Sequence, residues 1–247
     1  MPPPELAPPA AEQSARTAAV WAALDPLVGT RERPLRVLDV GGGSGMFAVP
    51  LARLGHEVTV VDPSADALAT LQRRATTDGV GRQVRGVQGD GDRLAEVLAG
   101  EEPYDLALCH SVLEVVDDPA ATLRQVAQAL RPGGTVSIAT ANRAGAVVAR
   151  ALAGHPVEAL ALLADRDPAP GRARPARRRF DPAELLALVA GAGLEPGTWR
   201  GLSVVADALG AASGADPAAV RRLELALAET SPYRDVATGL HVLARAR

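Results

Sequence analysis

Residues 37–45 read VLDVGGGSG, an apolar run that gives way to glycine. The first four residues predict a buried parallel strand, and the apolar residues from Met46 to Leu54 predict a helix. Glycines at positions 41, 43 and 45 permit a tight turn and leave no Cβ to keep a ligand from the backbone. The free N–H groups and the positive dipole end of the following helix would point to the same place. The stretch predicts a loop that binds a nucleotide-like ligand or a carboxylate.

The spacing of these glycines separates two kinds of loop. A dinucleotide-binding loop has the pattern G-x-G-x-x-G, and its third glycine would fall at position 46, which is Met46. The pattern here is G-x-G-x-G, and an acidic residue, Asp39, precedes it within the strand. The spacing therefore disfavours a dinucleotide cofactor.

The composition of the 247-residue chain restricts the chemistry. The length suits one α/β domain, and the net charge of −3 gives no general attraction to nucleic acid or to an acidic membrane. All 26 Lys+Arg positions are arginine, which excludes a catalytic lysine. The single cysteine, Cys109, excludes an internal disulfide and fits a reducing compartment. Since we find no signal peptide or membrane span in the sequence, we expect a cytoplasmic protein with residues 1–10 as a disordered tail.

Strands and helices alternate along residues 11–247, which we predict to be one domain. An initial helix is expected at 11–28. The strands are expected at 37–40, 57–61, 83–88, 104–109, 135–140, 194–205 and 239–245. This alternation predicts an α/β fold with a doubly wound, mostly parallel, Rossmann-like sheet that carries helices on both faces.

Asp62 and Pro63 end the second strand, about 20 residues beyond the glycine loop. A carboxylate at this position is placed to accept hydrogen bonds from ribose hydroxyls. The alternative is that Asp62 only caps the helix that begins near Ser64. Because the second strand is expected beside the glycine loop, we favour the ribose contact.

The fourth strand runs to Cys109 and leads into His110 and Ser111. In an open parallel sheet, ligands bind beyond the carboxyl ends of the strands, so we expect His110 to line the site. Cys109 lies at the same strand end, although its simplest interpretation is a buried small apolar residue.

The run VLDVGGGSG resembles the first motif of the class I methyltransferases that use S-adenosylmethionine. Asp62 matches the second motif of that family, and LRPGGTVSIAT at 130–140 is similar to another of its signatures. The resemblance implies a seven-stranded sheet, S-adenosyl-L-methionine as cofactor and S-adenosyl-L-homocysteine as product. It also implies that a carboxylate after the third strand binds the adenine amino group. Asp90 fits this role, with Gly91 supplying an N–H, and an exchange of roles between Asp90 and Asp92 is the alternative.

The predicted cofactor site combines the glycine loop with these strand ends. Arg16, on the first helix, is either a solvated arginine or a contact to the cofactor carboxylate or the substrate. We predict no metal site. The full predicted set is Arg16, Asp39, Gly41, Gly42, Gly43, Gly45, Asp62, Pro63, Asp90, Gly91, Cys109 and His110.

Residues 142–180 depart from the simple alternation. Two apolar helical stretches surround Gly154-His155-Pro156, and an arginine-rich loop at 165–179 follows them. We predict a helical lid over the substrate side, and a dimer contact is the alternative. The loop is either solvated or in contact with phosphates, since arginine forks suit phosphate oxygens.

Methyl transfer is an in-line displacement that depends mainly on proximity and alignment. A carboxylate acceptor needs no base, whereas a hydroxyl acceptor benefits from one. The candidate catalytic residues are His110, His155, Tyr233 and, as a further base, Glu114.

The motifs RVLDVGGGSG, CHSVLEVVDDP, LRPGGTVSIATAN and GLHVLARAR together resemble the bacterial tRNA carboxymethoxyuridine methyltransferases. This resemblance implies a wobble-uridine carboxylate as methyl acceptor, while the acidic net charge favours a small molecule with a carboxylate or hydroxyl. We expect a monomer or homodimer without a membrane partner. The alternatives are a catalytically silent S-adenosylmethionine-binding module and a dinucleotide-dependent oxidoreductase.

Overall fold

The computed structural model describes residues 14–29, 33–164, 177–209 and 214–247. Its strands are β1 (Arg36–Val40), β2 (Glu57–Asp62), β3 (Val84–Gln88), β4 (Tyr104–His110), β5 (Leu130–Ala141), β6 (Leu194–Leu202) and β7 (Gly239–Ala246). They form one seven-stranded sheet in the order β3-β2-β1-β4-β5-β7-β6. The first five strands are parallel, and β7 runs antiparallel to both β5 and β6. The predicted seven-stranded, mostly parallel sheet is confirmed.

Helices cover both faces of this sheet. They are α1 (Ala18–Val28), α2 (Ala48–Arg53), α3 (Ala65–Thr77), α4 (Leu94–Val97), α5 (Pro119–Ala129), α6 (Arg143–Leu152), α7 (Pro156–Ala164), α8 (Pro182–Gly191), α9 (Ala206–Leu209) and α10 (Pro217–Leu227). Short 3₁₀ turns at Gly91–Arg93 and Arg234–Val236 precede α4 and β7. The predicted tail at 1–10 and most of the predicted arginine-rich loop lie outside the described residues.

Alternating side chains of the central strands divide the core in two. Leu38 and Val40 of β1 pack in a cluster with Cys109, while the preceding residue, Val37, packs on the other face with Leu106. Successive residues of a strand point to opposite faces, so a continuous apolar run covers both. The sheet is doubly wound, as predicted, and its strand order reverses between β1 and β4.

The N-caps of two helices agree with the sequence prediction, and the start of a third helix does not. Asp118 Oδ1 accepts from the Ala121 N–H at 2.9 Å, and Asp216 caps α10 in the same way, as predicted. The helix predicted from Met46 begins only at Ala48. Gly45 has φ +81°, a left-handed conformation that the helix cannot contain, so the chain must turn before the helix starts.

Helices α6 and α7 form a hairpin after β5. Its outer side carries Leu152, which is 80% exposed, and Val157, Leu160 and Leu163, which are also exposed. The two predicted helical stretches are therefore present, while their role as a lid or a dimer contact stays a prediction. Among the described residues, no helix combines the length and apolar character needed to cross a membrane.

Candidate functional site

Two cavities open at the carboxyl ends of the central strands. The first has a volume of about 520 Å³ and is lined by residues that include Gly41, Asp62, Pro63, Asp90, Gly91 and Ser111. The second has a volume of about 300 Å³ and is lined by residues that include Arg16, Phe47, His110, Ser111, Glu114 and Thr140. Because Ser111 lines both, the two cavities meet directly after β4.

The backbone of the glycine loop comes close to the first cavity, because positions in this loop have no room for a side chain. Gly41 has φ +67°, and its N–H donates to the Val61 carbonyl at 2.7 Å. A Cβ on Gly41 would lie 2.6 Å from Val112 Cγ2, and one on Gly45 would lie 2.3 Å from Leu71 Cδ1. Both positions therefore require glycine for conformation and for space.

Asp62 holds this loop in place. Its Oδ2 accepts from the Gly43 N–H at 2.9 Å, and its Oδ1 accepts from the Ser64 N–H at 2.9 Å. The N-cap of α3 is Ser64, whose hydroxyl accepts from the Ala67 N–H, so the alternative that Asp62 merely caps this helix is wrong. Each carboxylate oxygen keeps a further lone pair that can accept from a ligand hydroxyl.

Asp39 lies buried beneath the loop, against Gly42. A Cβ on Gly42 would lie 2.4 Å from the Asp39 carboxyl carbon. Burial raises the pKa of Asp39 to about 7, and the negative charge of Asp62 adds to this rise. Its Oδ2 has no hydrogen-bond partner among the described residues. A buried carboxyl group whose Oδ2 makes no hydrogen bond among the described residues therefore lies beneath the loop.

The structure separates the roles of Asp90 and Asp92. The Asp92 carboxylate accepts from the Thr122 hydroxyl and is committed to α5. Asp90 occupies the N-cap position of the 3₁₀ turn, and its exposed side chain lies on the cavity wall. Because Asp92 is engaged by Thr122, Asp90 remains the carboxylate available to a ligand, and its role there stays a prediction.

Ser111 connects the cavities through an unusual backbone conformation. It has φ +58°, which is rare for a residue other than glycine, and its N–H donates to the Ala139 carbonyl at 2.8 Å. Such conformations cost about 1–3 kcal/mol and persist where the surrounding structure imposes them, often at functional sites. The turn after β4 is therefore held in one position between the cavities.

His110 lies at the second cavity and belongs to a buried polar network. Its Nε2 is 2.9 Å from Ser137 Oγ, and the same oxygen is 2.8 Å from His241 Nε2. Burial lowers the pKa of His110 to about 4, so this imidazole is neutral at pH 7. Ser137 and His241 are absent from the predicted site. They point inward on β5 and β7, and no local motif marks them.

Glu114 brings the end of the arginine-rich segment to the second cavity. Its Oε1 accepts from the Ala141 N–H at 2.5 Å, while its buried Oε2 has no partner among the described residues. Burial raises the pKa of Glu114, and the charges of Arg177 and Arg179 oppose the rise. The Arg178 N–H donates to the Glu114 carbonyl at 2.9 Å. The end of this segment is thus attached to the turn that carries Glu114.

Three predicted site residues, Cys109, His155 and Tyr233, lie away from both cavities, and Arg16 lies at the second. The Cys109 side chain is fully buried in the core, lines neither cavity, and has a pKa that burial raises to about 12. His155 is exposed and faces Glu158 at 3.4 Å, and Tyr233 is half exposed on a turn. Neither lines the first or the second cavity. Arg16 lines the second cavity instead of the first and pairs with Asp207 at 2.9 Å. Cys109, His155 and Tyr233 thus lie apart from both cavities.

Comparisons with known proteins agree with this arrangement. A family model described as a methyltransferase domain matches residues 12–196. The tRNA 5-carboxymethoxyuridine methyltransferase of Escherichia coli (strain K12) is 36% identical over 141 residues, which are 57% of this chain and 53% of that protein. A ubiquinone biosynthesis O-methyltransferase of Xanthomonas euvesicatoria pv. vesicatoria (strain 85-10) is 36% identical over 162 residues, 65% of this chain and 62% of that protein. The chain thus spans about half to three fifths of the length of these relatives.

A solved structure shares the fold. A crystal structure of an S-adenosylmethionine dependent methyltransferase from Mesorhizobium loti superimposes with a TM-score of 0.60 at 21% identity, covering 94% of this chain and 99% of that one. A likeness at this identity shows the fold, and the family match over residues 12–196 shows the family. The predicted fold, family and cofactor class are confirmed. This chain therefore belongs to the S-adenosylmethionine-dependent methyltransferases.

Proposed function

We propose that this chain transfers a methyl group from S-adenosylmethionine in the first cavity to a carboxylate or hydroxyl oxygen of an acceptor in the second. The observation that carries this proposal is the junction at Ser111, where the two cavities meet. Enzymes gain much of their rate in displacement reactions by holding the two reactants in line, an effect of roughly 7–11 kcal/mol. Adjoining cavities with a rigid turn between them supply this alignment.

The residues of the first cavity fit the cofactor. S-adenosylmethionine supplies, when bound, an activated methyl group on a positively charged sulfur. Its ribose hydroxyls and adenine amine are donors, and the cavity offers the acceptors Asp62 and Asp90. The close approach of the backbone at Gly41 is a further observation that supports a ligand here. We assign Asp62 to the ribose, Asp90 to the adenine amine, and the glycine loop to the amino-acid end.

The second cavity suits an acceptor that is already a good nucleophile. The buried, neutral His110 and the carboxyl group of Glu114 are its ionisable groups nearest the junction at Ser111. A carboxylate acceptor needs only positioning, whereas a hydroxyl acceptor would need its proton removed. Arg177 and Arg179 lie close enough to Glu114 to affect its pKa, and they would attract an anionic acceptor. These features favour a carboxylate.

The printed names of the relatives suggest two sources for such an acceptor. One relative is named for a carboxymethoxyuridine of tRNA, and the other for O-methylation in ubiquinone biosynthesis. We therefore propose an acceptor that is a carboxylate or hydroxyl of tRNA or of a small molecule. The stability of the methylated product to mild alkali distinguishes a carboxyl ester from a methyl ether.

The experiment that tests this proposal uses tritiated S-adenosylmethionine with separated RNA and small-molecule fractions of the source cell. Label that mild alkali releases from tRNA supports a carboxyl ester on RNA, and alkali-stable label on a small molecule supports a methyl ether. The His155→Gln variant, changed at an exposed side chain outside both cavities, is the active control. Cofactor binding by calorimetry without label in any fraction would overturn the proposal in favour of a silent binding module.

A further inference from the structure

A serine hydroxyl joins two buried histidines beneath the second cavity. Ser137 Oγ lies 2.9 Å from His110 Nε2 and 2.8 Å from His241 Nε2. A hydroxyl has a single proton, so it donates to one imidazole and accepts from the other. One Nε2 must therefore carry a proton and the other must not. Because burial lowers the pKa of both rings, both are neutral at pH 7, and the two histidines must be opposite tautomers.

Both remaining ring nitrogens are buried, so the position of each ring relative to the second cavity decides between the two arrangements. His241 is fully buried, and its Nδ1 has no hydrogen-bond partner among the described residues. An unpartnered N–H in the core is rarer than an unpartnered lone pair, so the His241 proton belongs on Nε2, where Ser137 accepts it. Ser137 then donates to His110 Nε2, which leaves the His110 proton on Nδ1. This Nδ1 is also buried and has no partner among the described residues. The His110 ring lines the second cavity, however, so a ligand bound there can supply the missing acceptor, whereas the His241 ring lines neither cavity.

We propose that His241 is a positioning residue that fixes, through Ser137, the tautomer in which His110 offers an Nδ1–H to the methyl acceptor. This inference rests on the proposed function only in naming the acceptor as the partner of that N–H. It assigns His110 as a hydrogen-bond donor to an acceptor oxygen and not as a general base, because a protonated Nδ1 cannot take up a proton. An acceptor with an anionic oxygen fits such a donor, and one that must lose a hydroxyl proton to His110 does not.

Long-range ¹H–¹⁵N correlation NMR of the full chain tests the tautomers without any acceptor. His56 is an internal reference, because its Nδ1 accepts from the Leu35 N–H at 3.2 Å and its Nε2 faces the Val28 carbonyl at 2.9 Å, which requires Nε2–H. We expect His241 to match His56 and His110 to show the opposite pattern. Identical tautomers in His110 and His241 would overturn the coupling, and Nε2–H on His110 would overturn its direction.

Kinetics of the Ser137→Ala variant test the consequence. We expect loss of the fixed His110 tautomer and a rise of about tenfold in KM for the acceptor, with KM for S-adenosylmethionine unchanged. Thr135→Ala, on the same strand outside both cavities, is the control and should change neither. His241→Gln should restore part of the affinity that His241→Ala loses, because the amide can still donate to Ser137. An enzyme that methylates normally with Ser137→Ala contradicts this inference alone, while absent methylation with the expected tautomers contradicts only the proposed function.

Discussion

At the scale of single residues, Asp62 has two tasks in this structure. It accepts from the backbone of the glycine loop and from the turn into α3, and it faces the first cavity. The sequence predicted only its ligand contact, because the spacing of a motif carries no information on which backbone groups a carboxylate will meet. The same carboxylate therefore shapes the site and lines it.

We expect Asp62→Ala to weaken S-adenosylmethionine binding by about 1–3 kcal/mol, since a charged acceptor for buried donors is lost. Stability should fall as well, because the Gly43 and Ser64 N–H groups lose their acceptor. Calorimetry and denaturant unfolding measure the two effects. The control is Asp66→Ala, which removes the same charge from an exposed position on α3. Equal affinities for the two variants would remove Asp62 from the cofactor site.

Asp39 should make the stability of the cofactor-free protein depend on pH. Its pKa is about 7 in the folded protein against 3.8 as the ordinary value, so the folded state keeps a proton that the unfolded state releases. Its contribution to the free energy of unfolding therefore falls as pH rises from about 4 to about 7, by an amount on the order of 4 kcal/mol. Asp39→Asn should remove this dependence. Unfolding curves of both proteins at pH 5 and pH 8 measure it, and parallel pH profiles would contradict the assignment.

At the scale of elements, the sequence predicted the strands and most helix caps because both are set by nearest neighbours. Apolar runs bounded by glycine indicate the strands, and Asp-Pro pairs indicate the helix starts, whatever the rest of the chain does. The start of α2 was wrong by two residues, since Gly45 has a left-handed conformation there. Glycine permits that conformation, but the local sequence does not show that the chain adopts it at this position.

Two glycines with a left-handed backbone allow the conformational cost of a side chain to be separated from its steric cost. Gly45 and Gly79 have φ +81° and +73°, but a Cβ on Gly45 would lie 2.3 Å from Leu71, and one on Gly79 would meet nothing within 4 Å. We expect Gly79→Ala to destabilise by about 1–2 kcal/mol for conformation alone. Gly45→Ala should cost a further 1–3 kcal/mol or so, because the fully buried Leu71 cannot move freely. Equal losses in denaturant unfolding would show that the loop yields to the added methyl group.

At the scale of the whole molecule, the α6–α7 hairpin has an apolar outer side that adds little to the core. We expect a Leu160→Ser, Leu163→Ser double variant to change the free energy of unfolding by no more than about 0.5 kcal/mol per site. Leu185→Ala, at a fully buried position of α8, should instead cost about 2–5 kcal/mol.

The same double variant separates the two predicted roles of the hairpin. A lid predicts a higher KM for the acceptor at an unchanged molecular mass, whereas a dimer contact predicts a lower mass in sedimentation. A large loss of stability would contradict both, because it would place these leucines in the core.

The amino-acid sequence was sufficient for the sheet, the glycine loop and the family, since these follow from periodicity and short-range spacing. The junction at Ser111 and the Ser137 bridge required the folded chain. Ser137 and His241 are 104 residues apart, and they meet because β7 inserts between β5 and β6. Alternation along a strand specifies which face a side chain takes, but the neighbour across that face depends on strand order, which is settled only when the whole sheet packs.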